Sequence, residues 1–233
     1  HTPPSQQPTP AAILLGMKSS RPPFKHIALL TLAGVVIFAT LVLFFWPRTP
    51  QTPQSHAPES APISISVGKP AAHTITVYVD PLCPRCREYH QQTLQPIYEQ
   101  YVRTGKAQLV VRPVAFISEY SASLNEYSLC ANQQGKYWQA LHHTYELIAR
   151  SGSSAAASFY TNNPPEQLAS AIGIDAAKLS QCLEHNDYLQ QQKQQLDHVR
   201  THGITGTPST FVDTHPIVRG AVPLEFITNL LRS

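Results

Sequence analysis

Charge is scarce in this chain. Of 233 residues, 17 are Lys or Arg and 14 are Asp or Glu, a formal net charge of +3. A total so small, with its basic residues dispersed, excludes an electrostatic nucleic-acid binder. Glycine is also sparse, at 10 against 21 prolines. Much of that proline lies before position 71, so the N-terminal third differs in kind from the rest. Methionine occurs once, at Met17, and the residues before it are rich in Pro, Gln and Thr. There are only four cysteines, and no second CxxC or close Cys/His pair completes a four-ligand zinc site.

Around Met17 the order of residues is that of a membrane-targeting N-terminus. Lys18, Arg21 and Lys25 precede an uncharged apolar run from Ile27 to Trp46. Met17 is therefore the expected start, with 1–26 a disordered cytoplasmic N-terminus; a genuine extension upstream of Met17 is the alternative. About 20 apolar residues make roughly 30 Å of helix, enough to cross a bilayer core. The run ends in Phe44-Phe45-Trp46-Pro47-Arg48, which suits an interface rather than a cleavage site. An uncleaved transmembrane anchor over 27–46 is expected. Basic residues cluster before it, so the N-terminus is expected inside and the remainder outside. That would make the protein single-pass, with its C-terminal domain extracytoplasmic. Residues 47–62 repeat proline among Thr, Gln, Ser and Ala and read as an extended linker.

The globular part, 63–233, is organised around Cys83-Pro84-Arg85-Cys86. Ile63–Val67 alternates like a short edge strand, and His73–Val79 is β-branched and aromatic like a buried one. A helix is expected from Pro84 to about Thr104, kinked at Pro96 and ended by Gly105. Ala107–Phe116 reads as a second strand, which makes a right-handed parallel βαβ unit. From about 118 to 203 the pattern is helical. Tyr137–Ile148 has helical spacing, 152–163 reads as a polar loop, and Pro165 opens a short helix. Asp175 is placed to cap a helix over Ala176–Asn186, and the glutamine-rich 188–202 reads as a solvated helix. The chain closes with strands at Ser209–Val212 and Ile217–Arg219 and a helix from Pro223.

Cys83 would sit at a helix N-terminus, where unpaired N–H groups and the helix dipole favour a thiolate. Such a cysteine is the nucleophile of thiol–disulfide exchange, and Cys86 its resolving partner. Half of a zinc site and an inert disulfide are the alternatives. Arg85 could add positive charge or be a solvated surface group. Asp80 could raise the Cys83 pKa as a nearby charge, or serve as a turn or capping residue. His90, His142 and His143 are read as surface or packing residues.

Four blocks in order resemble the DsbA-like branch of the thioredoxin superfamily, bacterial thiol–disulfide oxidoreductases that are membrane-anchored or secreted. They are Asp80-Pro-Leu-Cys83-Pro84-Arg85-Cys86-Arg-Glu-Tyr-His90, Thr93 to Lys106 with the strand after it, Cys130 to Trp138, and Gly203 to Val212. Between the cysteines stands Pro-Arg, where His or Tyr often follows the proline. The strand before them has no buried Glu, and the last hairpin lacks Asn-Gly. The resemblance implies an α/β thioredoxin fold with an inserted helical domain. It implies a cis Pro208 after Thr207, facing Cys83 and pairing with substrate; an ordinary trans proline is what the residues alone suggest. It places Cys130 and Cys182 together in the insertion. There, in an exported domain, they are expected to form a structural disulfide, with two separate thiols the alternative. Being to a bacterial family, it implies the cytoplasmic (inner) membrane for the anchor and the periplasm for the domain. The implied function is a dithiol oxidase for cysteine-containing exported proteins. It would need no cofactor beyond its own redox-active disulfide, and would be reoxidised by a quinone-linked membrane partner of the DsbB or VKOR type. A reductase or isomerase on the same fold, and a non-catalytic thioredoxin-like assembly module, are the rivals.

Overall fold

The computed structural model describes residues 57–58, 60–185 and 188–233. The expected N-terminus, the transmembrane anchor and the linker up to residue 56 lie outside the described residues. Among those described, no helix is long and apolar enough to cross a membrane.

Five strands form one sheet: β1 (Ile65–Val67), β2 (His73–Val79), β3 (Ala107–Pro113), β4 (Ser209–Val212) and β5 (Val218–Arg219). Their spatial order is β1-β3-β2-β4-β5. Only β2 and β3 are parallel, from His73 opposite Ala107 to Val79 opposite Pro113. The others pair antiparallel. β2 is central, with β-branched and aromatic side chains buried on both faces.

The helix after β2 begins as α1 (Pro84–Tyr89) and continues through a wide π turn (His90–Leu94), one α turn (Gln95–Ile97) and a second π stretch (Tyr98–Val102). Pro96 lies between the wide turns. Proline has no N–H and crowds the carbonyl four residues back, and wider turns accommodate both without ending the helix. Gly105, at φ 72°, does end it: the Lys106 N–H turns back to the Tyr101 carbonyl at 2.8 Å.

The insertion contains α2 (Glu119–Asn132), α3 (Tyr137–Ser151), α4 (Ser153–Asn162), α5 (Pro165–Ile172), α6 (Ala176–His185) and α7 (Leu189–Thr201). α8 (Leu224–Leu230) closes the chain. One core joins β2 and β3 to Cys86, Tyr89 and Leu94, and to Tyr137, Leu141 and Tyr145 of α3. A second core lies within the insertion, around Tyr127, Leu168 and Leu179. There Cys130 and Cys182 are joined by a disulfide, with Cα atoms 5.7 Å apart. Asp175 caps α6 by accepting from the Lys178 N–H at 3.0 Å.

Three sequence expectations need correction. Residues 152–163 are not a polar loop, because α4 occupies them. Its serines suggest a loop, but Ala155 to Ala157 lose no side-chain entropy in a helix, and Ala156 is wholly buried. Gly152, at φ 84°, supplies only the break from α3. Nor is α7 a fully solvated helix. Gln195 is wholly buried and grips Ile63 at both ends, accepting from its N–H at 3.1 Å and donating to its carbonyl at 3.3 Å. Gln192 is also buried and donates to Glu126 at 2.9 Å and to the Ala122 carbonyl at 3.1 Å. Finally, the domain begins before Ile63. Buried Arg112 donates to the Pro58 carbonyl, the Tyr78 hydroxyl and Ser64 Oγ, each at 2.7 Å. The end of the proline-rich segment is thereby docked on the sheet.

Candidate functional site

The site forms where β2 hands over to α1. Asp80 is wholly buried at the end of β2. Its Oδ1 accepts from the Leu82 N–H and the Ser121 hydroxyl, both at 2.8 Å. Its Oδ2 accepts from the N–H groups of Phe116 at 2.7 Å and Ile117 at 3.0 Å. Burial pushes its pKa up, against the hydrogen bonds that pull it down. One carboxylate thus ties the active-site turn to the start of α2. It also explains why β3 stops at Pro113: the Phe116 N–H goes to Asp80 and not to the ladder.

This clamp sets Cys83 as the N-cap of α1, in extended backbone with Pro84 in the first turn. Cys83 Sγ accepts from the Cys86 N–H at 3.3 Å. Cys83 is 8% exposed and Cys86 not at all, and both are thiols. A sliver of surface at Cys83 is therefore the route to the pair, a narrower access than an exposed nucleophile suggests. The Cys83 pKa falls to about 6. Hydrogen bonding from the Cys86 thiol is the main cause, burial opposes it, and the Thr207 side chain and the N–H groups of Cys86 and Arg85 add to it. The Cys86 pKa moves well upward, through burial first and then its proximity to Cys83.

The Thr207–Pro208 bond is cis. It brings the Thr207 carbonyl within 3.4 Å of Cys83 Sγ. Thr207 lies 124 residues from the nucleophile it meets, and only the family resemblance, not the residues alone, pointed to a cis bond here.

Arg85 is corrected. Its side chain is 62% exposed and paired with Glu88. What Arg85 lends Cys83 is its backbone N–H, not its guanidinium. Asp80 is the clamp just described, so the turn-and-capping alternative holds. Two participants were not singled out as site residues by sequence. Ser121 holds Asp80, and Tyr145, wholly buried beneath the site, donates its hydroxyl to the Asp80 carbonyl at 3.3 Å. Both come from the insertion, and neither belongs to a motif, so only the packing reveals them. His90 is a packing residue, buried against Trp138 and Tyr145. It meets His142 at 3.1 Å, and burial lowers its pKa to about 3, which keeps it neutral. Among the described residues, no three His, Cys, Asp or Glu side chains gather to hold a metal.

A dithiol at a helix N-terminus, opposite a cis-proline loop and roofed by a helical insertion, defines a thiol–disulfide exchange site on a thioredoxin fold. The chain belongs to the thioredoxin family, whose model matches residues 60–231. No curated protein sequence matches it. Among solved structures it is similar to alpha-DsbA1 of Wolbachia pipientis, at 20% identity and a TM-score of 0.62, covering 74% of this chain and 91% of that one. It is similar to DsbA of Chlamydia trachomatis, at 22% identity and a TM-score of 0.60, covering 78% and 95%. A third is MdbA, a thiol–disulfide oxidoreductase from Actinomyces oris, at 16% identity and a TM-score of 0.61, covering 78% and 93%. At these identities the likeness is one of fold.

Proposed function

We propose that this protein is an extracytoplasmic thiol–disulfide oxidoreductase working as a dithiol oxidase on exported proteins. The observation that carries the reading is the asymmetry of the pair: Cys83 caps α1, accepts from the Cys86 N–H at 3.3 Å and keeps a sliver of surface, while Cys86 is wholly buried, an arrangement that lowers the Cys83 pKa and raises that of Cys86. In the oxidised protein a substrate thiolate attacks Cys83 Sγ. The Cys83–Cys86 bond breaks, its electron pair passes to Cys86 Sγ, and Cys86 takes up a proton because its buried thiolate is disfavoured. A second substrate thiolate then attacks the substrate sulfur of the mixed disulfide, and Cys83 leaves as a thiolate. The substrate loses two electrons and the cysteine pair gains them. At pH 7 a thiol with a pKa of about 6 is about ten parts thiolate to one part thiol, so Cys83 is a good leaving group. Thr207, half-buried beside Cys83, offers its backbone to an extended substrate.

Two features support the location. The apolar run 27–46 follows Lys18, Arg21 and Lys25, and a structural disulfide, Cys130–Cys182, suits an oxidising compartment. Each turnover leaves the pair reduced, so the function requires reoxidation by a quinone-linked membrane partner of the DsbB or VKOR type. Equilibration with a glutathione buffer tests the direction of the chemistry. A potential near −120 mV supports the oxidase; one near −270 mV makes the protein a reductant. Trapping mixed disulfides with Cys86→Ala in cells names the substrates.

A further inference from the structure

Beside the nucleophile lies a cleft of about 390 Å³, built by two elements distant in sequence. Leu82, the residue before Cys83, and Tyr120, in the first turn of α2, line one part of it. Five residues of α4 line the rest: Ala157 and the hydroxyl-bearing Ser153, Ser154, Ser158 and Thr161. We propose that this cleft is a specificity subsite. It takes a bulky uncharged side chain, aromatic above all, from the residue flanking the substrate's reactive cysteine. The inference rests on the oxidase reading above and adds what that reading leaves open, the class of substrate sequence preferred.

Three observations carry it. The first is position. The covalent step pins the substrate cysteine on Cys83 Sγ, and one extended residue advances the chain about 3.3–3.6 Å. Leu82 adjoins Cys83 in the chain, their Cα atoms about 3.8 Å apart, so a residue one or two extended positions from the substrate cysteine can span the distance to the wall that Leu82 forms. The second is rigidity. Asp80 bonds the Leu82 N–H on one side and the Phe116 N–H, Ile117 N–H and Ser121 hydroxyl on the other. Leu82 and Tyr120 are thus held in register by one buried group, as a preformed pocket requires.

The third is chemistry. Ile117 and Tyr120 are each 52% exposed, and Leu189 and Phe226 are the only other large apolar side chains so exposed among the described residues. Single exposed apolar residues are ordinary. Here Tyr120 lines the cleft and Ile117 stands three residues before it, so two of the four exposed large apolar side chains belong to the segment that builds the cleft. No residue lining the cleft carries a charge at neutral pH. A charged occupant would lose water and gain no partner, which selects against it. An aromatic ring instead meets Leu82, Ala157 and the Tyr120 ring, and a phenol or indole edge meets the serine and threonine hydroxyls.

The test uses the oxidised protein and a set of short dithiol peptides alike except for the residue beside the first cysteine: Tyr, Phe, Ser, Glu or Lys. Oxidation rates are followed by stopped flow, with dithiothreitol as a substrate too small to reach the cleft. The expected result is Tyr and Phe peptides oxidised about five- to tenfold faster than Ser, with Glu and Lys slowest. Ser158→Trp, at an exposed position, fills the cleft, and Tyr120→Ala removes a wall. Each should erase the preference and leave dithiothreitol oxidation unchanged. Equal rates for all peptides with normal dithiothreitol oxidation would overturn the subsite and leave the oxidase reading intact. A preference that survives in both variants would also overturn it, since the selecting surface then lies elsewhere. Failure to oxidise either peptide or dithiothreitol would sink the oxidase reading, and the subsite with it.

Discussion

Replacing Asp80 separates two roles a buried acid beside a nucleophile can have. As a clamp, it accepts from three backbone N–H groups and one hydroxyl. Asp80→Ala strands all four donors. Each amide left unpaired in a buried setting costs about 1–3 kcal/mol, and water reaching exposed Ile117 returns part of it. The expected loss is about 3–5 kcal/mol of unfolding free energy. Asp80→Asn keeps one carbonyl oxygen, enough for one pair of donors, and turns an NH2 group toward the other. Its loss should be about half as large, roughly 1–3 kcal/mol. The Asp80 carboxylate is taken up by these four donors, none of them on Cys83, so the clamp reading has the Asn variant leave the Cys83 titration where it is. The assay is guanidinium unfolding of both variants, with thiolate absorbance read on Asp80→Asn. An Asn variant of unchanged stability whose Cys83 pKa falls by a unit would refute the clamp and make Asp80 a charge acting on the thiol.

Three further outcomes follow from the packing. The Cys83 pKa is lowered in the folded state, so it stabilises the reduced protein fully above the unfolded value of about 9, and the effect fades as pH falls through about 6. Reduced wild type minus reduced Cys83→Ser should gain about 2 kcal/mol in stability from pH 6 to pH 8; a flat difference would contradict the shift. Gln195→Ala strands both backbone groups of Ile63, at a cost of about 1–3 kcal/mol, and should open residues 57–64 to hydrogen exchange before the rest of the sheet. Exchange at those residues no faster than in wild type would show that Arg112 alone holds the segment. The Cys130–Cys182 bridge closes a 52-residue separation, worth about 4 kcal/mol in the chain-entropy model. The double Ala variant should lose up to that amount on denaturation while its Cys83 titration stays the same.

The parts of the fold legible in the sequence are those where local chemistry and tertiary need agree. His73–Val79 could only be a buried strand, and Cys83-Pro84 could only open a helix. The Thr207–Pro208 loop was legible only through the family resemblance, because nothing local distinguishes a cis from a trans bond. The errors fall where a residue's type misstates its surroundings. Ser153–Asn162 looks like a loop because serine is polar, yet it is a helix resting on Ala156. The glutamines of α7 look solvated, yet Gln195 completes the hydrogen bonding of an incoming backbone segment, which no one-dimensional pattern reveals. Arg85 looks electrostatically important because it sits between the cysteines, yet it turns outward to Glu88. Tyr145 and Ser121 reach the site from the insertion, through contacts that exist only once it folds over the active-site turn.

The pKa of Cys83 in the reduced protein tests the central claim most directly. Thiolate absorbance near 240 nm, titrated from pH 4 to pH 8 with Cys83→Ser as the blank, should show a step near 6, the Cys86 thiol titrating well above it. Absorbance still rising at pH 8, the mark of a step near the ordinary thiol value of about 8.5, would contradict the account, because Cys83 would then be neither the preferred leaving group nor the thiolate on which the oxidase chemistry depends.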